Sequence, residues 1–198
     1  MNSRIVADSR VHETTERIRE ISPRLKARIA GVLYVIGVLT AVFAEFLAPG
    51  RLGIAAAILI PVLCYAAVTV LLYGIFKPVD RTMSLLALSF GLAGLACEAL
   101  RMHVRGVNIG MVFHGLFCLV IGYLIFRSNF LPRILGAPMA FAGLVWLIYL
   151  SPPLARLVSP YNSAIGILGE ALPMLWLLVM GVNAQRWKEQ AGAAEGLR

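Results

Sequence analysis

Residues 106–122 read GVNIGMVFHGLFCLVIG. Every fourth position is small or polar: Gly106, Gly110, His114, Cys118, Gly122. The positions between are mostly large and apolar. A spacing of four holds one face of an α-helix. The stretch therefore reads as an apolar helix with one small-residue face, into which an imidazole and a thiol have been set.

Apolar runs of similar length recur along the chain. Six fall at about 29–48, 53–76, 83–100, 108–126, 134–151 and 164–182, in a sequence of 198 residues that is 60% hydrophobic and 14% charged. Each is near the ~20 residues that cross a bilayer core. A soluble domain of this size needs more charge to cover its surface. The expectation is an all-α polytopic transmembrane bundle of six spans, multi-pass in the inner cell membrane. Residues 1–21 form a polar cytoplasmic or interfacial segment, 22–185 the transmembrane domain and 186–198 a cytoplasmic tail. Val42-Phe43-Ala44 has the small-residue look of a signal cleavage site. The charged leader before it is long for a signal peptide, so the first span reads as a retained anchor.

The net charge of +8 is explained by topology rather than by nucleic acid. With six spans, 14 Lys and Arg fall on the side that holds the N-terminus and four (Arg51, Arg101, Arg105, Arg156) on the other. That asymmetry places both termini in the cytoplasm. The lipid bilayer is then the partner the composition demands. The three cysteines, Cys64, Cys97 and Cys118, lie inside spans and form no CxxC pair. They read as small buried residues rather than a disulfide framework.

The short connections favour antiparallel neighbours. Ser22-Pro23 reads as an N-cap followed by proline at N1. The segment 151–162, with Pro152, Pro153 and Pro160, reads as the longest loop. Tyr73-x-x-Phe76-Lys77 and Tyr123-x-x-Phe126-Arg127 resemble a parallel internal repeat. The simpler reading is convergence, because aromatic residues and a cation suit any cytoplasmic helix end.

Ionisable residues within membrane helices face the bundle interior or a water-filled cavity. Glu45, Glu98, His114 and Glu170 are the candidates. Gly37, Ala41 and Glu45 are spaced by four; Ala87, Gly91, Gly94 and Glu98 keep one face; Gly166 precedes Glu170 by four. Small residues mark the face on which helices approach closely, so all four side chains point inward. Counted from the helix starts, His114 lies ~9 Å and Glu170 ~10 Å deep at 1.5 Å per residue. Asn108 adjoins them in the connecting loop. An outward-facing polar pocket follows, with Glu170, His114, Glu98, Glu45 and Asn108 as its candidate residues. Pro173 frees the carbonyl of Gly169 beside Glu170, which suits a cation or proton. Glu45 has Arg51 nearby as an alternative partner, and Glu98 has Arg101 three residues on. His114, Cys118 and Glu170 are also the candidate metal ligands, since ligation needs several N, O or S groups to converge. No HExxH, P-loop or GxSxG motif is present. His103 and His114 together suggest a haem, although His103 falls in a loop region.

Several segments together resemble the DUF4386 family of bacterial membrane proteins. They are Ser22-Pro23-Arg24 with Ala27-Arg28-Ile29-Ala30-Gly31-Val32-Leu33-Tyr34, Lys77-Pro78-Val79-Asp80-Arg81, and Asn108-Ile109-Gly110-Met111-Val112-Phe113. Gly122-Tyr123-Leu124-Ile125-Phe126-Arg127-Ser128, Leu131-Pro132-Arg133-Ile134-Leu135-Gly136 and Gly169-Glu170 continue the match, with Leu175 to Val179 and Gly181-Val182-Asn183 after it. The resemblance covers about 22–188. It implies an integral membrane protein of six or seven helices and brings no activity, cofactor or site residue. Two features depart from the family pattern: a shorter connection between the third and fourth helices, and a histidine at 114 where the pattern is apolar.

Three functional readings follow. The first is binding of a small solute, ion or proton in the outward-facing pocket, with transport as one use of such a site. The second is a membrane-embedded metal-dependent or redox enzyme. The third is an accessory or assembly protein, a homo-oligomer or a partner of another membrane protein through its small-residue helix faces. Composition and spacing do not choose a cofactor or decide whether the protein is an enzyme.

Overall fold

The computed structural model describes residues 22–47 and 51–196, with side chains described at 22–41, 59–194 and 196. The reading of residues 1–21 lies outside that set, as do the side chains of Val42, Phe43, Ala44, Glu45 and Arg51. Among the described residues six long helical segments are present: α1 (Pro23–Leu47), α2 (Arg51–Phe76), α3 (Arg81–Ala99), α4 (Ile109–Arg127), α5 (Gly136–Trp146) and, after the short α6 (Pro152–Val158), α7 (Tyr161–Val179). A last helix, α8, spans Ala184–Glu195. Among the described residues five segments have the length and apolarity to cross a membrane: Leu59–Phe76 within α2, α3, α4, Arg133–Leu150 and α7. The chain is an all-α, multi-pass membrane protein.

The helix starts follow from local chemistry. The Ser22 hydroxyl accepts the Leu25 N–H at 3.2 Å, with Pro23 at the first helical position. Asp80 caps α3 through the Met83 N–H, Asn108 caps α4 through Met111, and Asn183 caps α8 through Arg186. Each satisfies a backbone donor that the helix itself leaves free. Between α3 and α4 the chain makes a two-residue antiparallel hairpin, β1 (His103–Val104) with β2 (Val107–Asn108).

Three details differ from the sequence expectation. Gly106 does not belong to the α4 face; it sits in the hairpin turn at φ +82, a left-handed conformation that favours glycine. The fifth apolar run is not one continuous α-helix. It is α5 flanked by 3-10 turns at Arg133–Leu135 and Leu147–Leu150. The proline-rich loop contains α6, because proline at the first helical position starts a helix rather than breaking it.

Consecutive long helices pack on one another from α1 to α5, α5 packs on α7, and α7 packs on α1, so the ring closes. The Tyr34 hydroxyl donates to the Ile167 carbonyl and Arg28 to the Val179 carbonyl, both across the α1–α7 seam. The indole N–H of Trp187 on α8 donates to the Ile75 carbonyl at 2.8 Å, tying α8 to the end of α2. The suggested repeat is not reflected in the packing: Phe76 is buried against Phe130, whereas its counterpart Phe126 is exposed.

Glycines set the closest approaches. A Cβ built on Gly115 would lie 2.9 Å from the Gly143 carbonyl oxygen, and one on Gly143 would lie 2.8 Å from that of Gly115. Two turns further along, Gly122 and Gly136 meet in the same reciprocal way, at 3.0 and 2.8 Å. These pairs hold α4 and α5 antiparallel in one register. The other side of α4 carries Gly110, against which the Glu98 carboxyl of α3 is seated. One helix thus presents small residues to both its neighbours.

Candidate functional site

Glu170 is the tenth residue of the 19 in α7. The helix begins at Tyr161, two residues before the expected start, so Glu170 lies ~14 Å along it at 1.5 Å per residue, near the middle of the helix. Its side chain is 3% exposed. The Trp146 indole N–H, from the end of α5, donates to Glu170 Oε1. His114 Nε2, from α4, lies 2.9 Å from the same oxygen. Cys118, one turn below His114, places its Sγ 3.8 Å from that Nε2. Three helices therefore converge on one carboxyl oxygen. The ligand-type atoms of His114, Cys118 and Glu170 all lie within 4.8 Å of one another.

The surroundings explain why this arrangement persists. Gly166, one turn before Glu170, leaves space for the indole; a Cβ there would meet Trp146 Cε2 and Cζ2 at 2.7 Å. Three aromatic rings enclose the imidazole: Phe117 stacked at 5.9 Å, Tyr65 and Trp146 edge-on at 5.8 and 5.6 Å between centroids. Tyr34 stands edge-on to Tyr65 at 5.7 Å. Buried polar groups cost free energy unless they are hydrogen-bonded; His114 Nε2, the Trp146 N–H and Glu170 Oε1 find their partners in one another.

A cavity of about 290 Å³ lies against the other side of His114. Tyr65, Glu98, Met111, His114 and Trp146 contribute to its wall, and Ala41 of α1 borders it. Among the described residues no Lys or Arg lines it. It occupies the half of the bundle in which α3 ends and α4 begins, next to the hairpin. His114 is the connection between the cavity and the buried triad: its side chain is 21% exposed, while Cys118 is fully buried.

The structure brings Glu170, His114 and Cys118 together and sets Glu98 on the wall of the same cavity. Asn108 is elsewhere, with its side-chain oxygen occupied in capping α4. The side chain of Glu45 lies outside the described residues. Glu98 forms no ion pair with Arg101 among the described residues. Arg101 instead donates its backbone N–H to the Glu98 carbonyl at 2.9 Å and turns at φ 49 into the hairpin. His103 is exposed in β1 with Nδ1 2.9 Å from the Arg101 carbonyl, so it is not a partner for His114. Trp146 and Tyr65 were not identified from sequence. Their signal was chemical: an indole N–H or phenol in an apolar helix needs a partner when buried.

A family model described as "Domain of unknown function (DUF4386)" matches residues 95–181, which include α4, α5, α7 and every member of the triad. An uncharacterised protein of the archaeon Archaeoglobus fulgidus is 30% identical over 125 residues, spanning 58% of this chain and 75% of that protein. No solved structure matches the chain.

Proposed function

We propose, for a chain that belongs to the DUF4386 family, defined by a domain of unknown function, that it binds a small cation in the cavity beside His114. One observation carries this reading: the wall combines carboxyl and aromatic groups and, among the described residues, contains no Lys or Arg. Carboxyls attract positive charge, and the faces of Tyr and Trp rings attract cations with ~0.5–2 kcal/mol each. The volume of about 290 Å³ is at the small end of ligand pockets, which run from ~300 to 1,000 Å³. The solute is therefore of few heavy atoms. Glu170, buried behind His114, places a second carboxyl beyond the wall.

The test uses Trp146 as the reporter. In the Trp176→Phe, Trp187→Phe protein it is the only one of three tryptophans remaining. Methylammonium and tetramethylammonium are expected to change its fluorescence saturably, and Glu98→Gln to weaken the midpoint about tenfold, which corresponds to 1.4 kcal/mol. A linear response, or an unchanged midpoint in Glu98→Gln, would sink the reading.

The accessory reading has less support. The glycines that a partner helix would need, at 31, 91, 94, 110, 115, 122, 143, 166 and 169, are in close contact within the chain itself.

The orientation is part of the proposal. α1, at 25 residues, is the sixth span of an inner-membrane protein. Both termini are cytoplasmic, because the connections on their side carry the excess of Lys and Arg. The cavity then opens outward. A cysteine at the exposed Ser159, between α6 and α7, is expected to react with an impermeant maleimide added to intact cells. Labelling only after the cells are broken would reverse the topology.

A further inference from the structure

We infer that the inner end of this cavity is a transition-metal site, with His114 Nε2, Cys118 Sγ and a Glu170 carboxyl oxygen as its ligands and a fourth position toward the cavity. The inference rests on the cation-binding reading above and names the ion's class.

The geometry is close to what an ion requires. A tetrahedral ion with metal–nitrogen and metal–oxygen bonds of ~2.0–2.1 Å holds those two ligand atoms ~3.4 Å apart, and with a metal–sulfur bond of ~2.3 Å it holds N and S ~3.5–3.6 Å apart. The observed separations are 2.9 Å for Nε2 to Oε1 and 3.8 Å for Nε2 to Sγ. The third pair, Cys118 Sγ and the Glu170 oxygen, lies within 4.8 Å, where such an ion holds O and S ~3.5 Å apart, so side-chain movements of about 1 Å or less convert the hydrogen-bonded cluster into a coordination shell. A bound ion occupies the place of the hydrogen between Nε2 and Oε1; that proton passes to Nδ1 from a neutral imidazole or to solvent from an imidazolium or a carboxylic acid, and the thiol proton leaves to solvent as the sulfur binds.

The donor set selects the metal. One thiolate, one imidazole and one carboxylate suit a borderline-soft ion of the Zn²⁺ class. Mg²⁺ and Ca²⁺ favour all-oxygen shells. The supporting groups are in place as well. The Trp146 N–H fixes the Glu170 carboxyl, a role that partners of metal ligands commonly play. His114 is the ligand that lines the cavity, so an ion and its fourth ligand arrive from that side. Glu98 is an ionisable group on the approach.

The probe is Co²⁺, whose thiolate complexes absorb in the near ultraviolet. The purified, chelator-treated protein carrying Cys64→Ser and Cys97→Ser retains only Cys118 among its three cysteines. It is expected to bind one Co²⁺ per chain with a thiolate band, and Zn²⁺ is expected to abolish that band. Cys118→Ser removes the band while the protein stays monodisperse, and Trp146→Phe weakens Co²⁺ binding about 10–100-fold. A protein whose sole thiol is Cys118 and that shows no thiolate band overturns the inference, whether or not Cys118→Ser folds. A band that survives Cys118→Ser in the full-cysteine chain does the same. The two levels separate cleanly. Failure with Co²⁺ alongside saturable binding of methylammonium removes the metal and leaves the cation pocket; failure of both removes the pocket reading too.

Discussion

Glu170→Ala is expected to destabilise the folded bundle by about 3–5 kcal/mol, measured by equilibrium unfolding in mixed detergent. A single interhelical hydrogen bond in a membrane contributes only ~0.6 kcal/mol, because a separated helix in lipid finds other partners. Glu170 is a different case. It accepts from Trp146 of α5 and contacts His114 of α4 through one oxygen. Truncation leaves two buried polar groups without their acceptor, each costing ~1–3 kcal/mol, and opens a void where the side chain was 3% exposed. Glu170→Gln retains an oxygen for the indole and is expected to cost no more than about 2 kcal/mol. The triple change Glu170→Met, His114→Leu, Trp146→Phe removes all three polar partners together. Apolar replacement of a complete buried polar cluster is often neutral or stabilising, so this variant is expected to match the parent in stability while losing cation binding. Equal losses in Ala and Gln variants would show that the contacts contribute nothing specific. A triple variant that unfolds would show the cluster to be structural rather than functional.

That contrast bears on what the amino-acid sequence discloses. The inward direction of Glu170 and His114 was legible because each shares a helical face with glycine, and glycine marks the face that meets another helix. The membrane class was legible from run length and charge. Cys118 joined His114 through simple i, i+4 spacing. Other features were not legible, for physical reasons. Periodicity states which face is buried but not which neighbour covers it. The closure of the ring through α1 and α7, which makes α4, α5 and α7 converge, is therefore absent from any local pattern. Trp146 was hidden for a related reason: an indole counts as apolar in hydropathy, and its N–H becomes informative only once a carboxyl stands opposite. Gly106 fitted the four-residue spacing by coincidence, since period alone cannot separate a glycine on a helix face from one in the turn before the helix. The proline-rich segment misled in the opposite direction, because proline at a helix start and proline in a loop look alike in one dimension.

The second large effect is expected at Gly143. Gly143→Leu should destabilise the bundle by about 3 kcal/mol or more, above the ~1–3 kcal/mol usual for overpacking. Its Cβ would lie 2.8 Å from both the Gly115 carbonyl oxygen and Leu119 Cγ, and 2.9 Å from the Leu119 nitrogen. Two of those atoms are backbone and cannot move aside by changing rotamer. The strain must pass into the α4–α5 separation. Gly74→Ala supplies the opposite sign. It lies inside α2 with nothing within 4 Å of an added Cβ, so the substitution should stabilise by about 0.5–1 kcal/mol through reduced chain entropy alone. The two glycines are distinguished by contact and not by residue type, and a common sign for both would defeat the packing account. The effect of Gly143→Leu should also reach the site. Gly143 and Trp146 are three residues apart on α5, on adjoining parts of the face that packs against the rest of the bundle. Pushing α5 away from α4 draws the indole from the carboxyl that His114 approaches from α4. Cation binding in Gly143→Leu should therefore weaken even at temperatures where the protein remains folded, whereas Gly74→Ala leaves the midpoint unchanged. Unaltered binding in folded Gly143→Leu would mean that α7 alone, through Gly166, is enough to hold Trp146 in place.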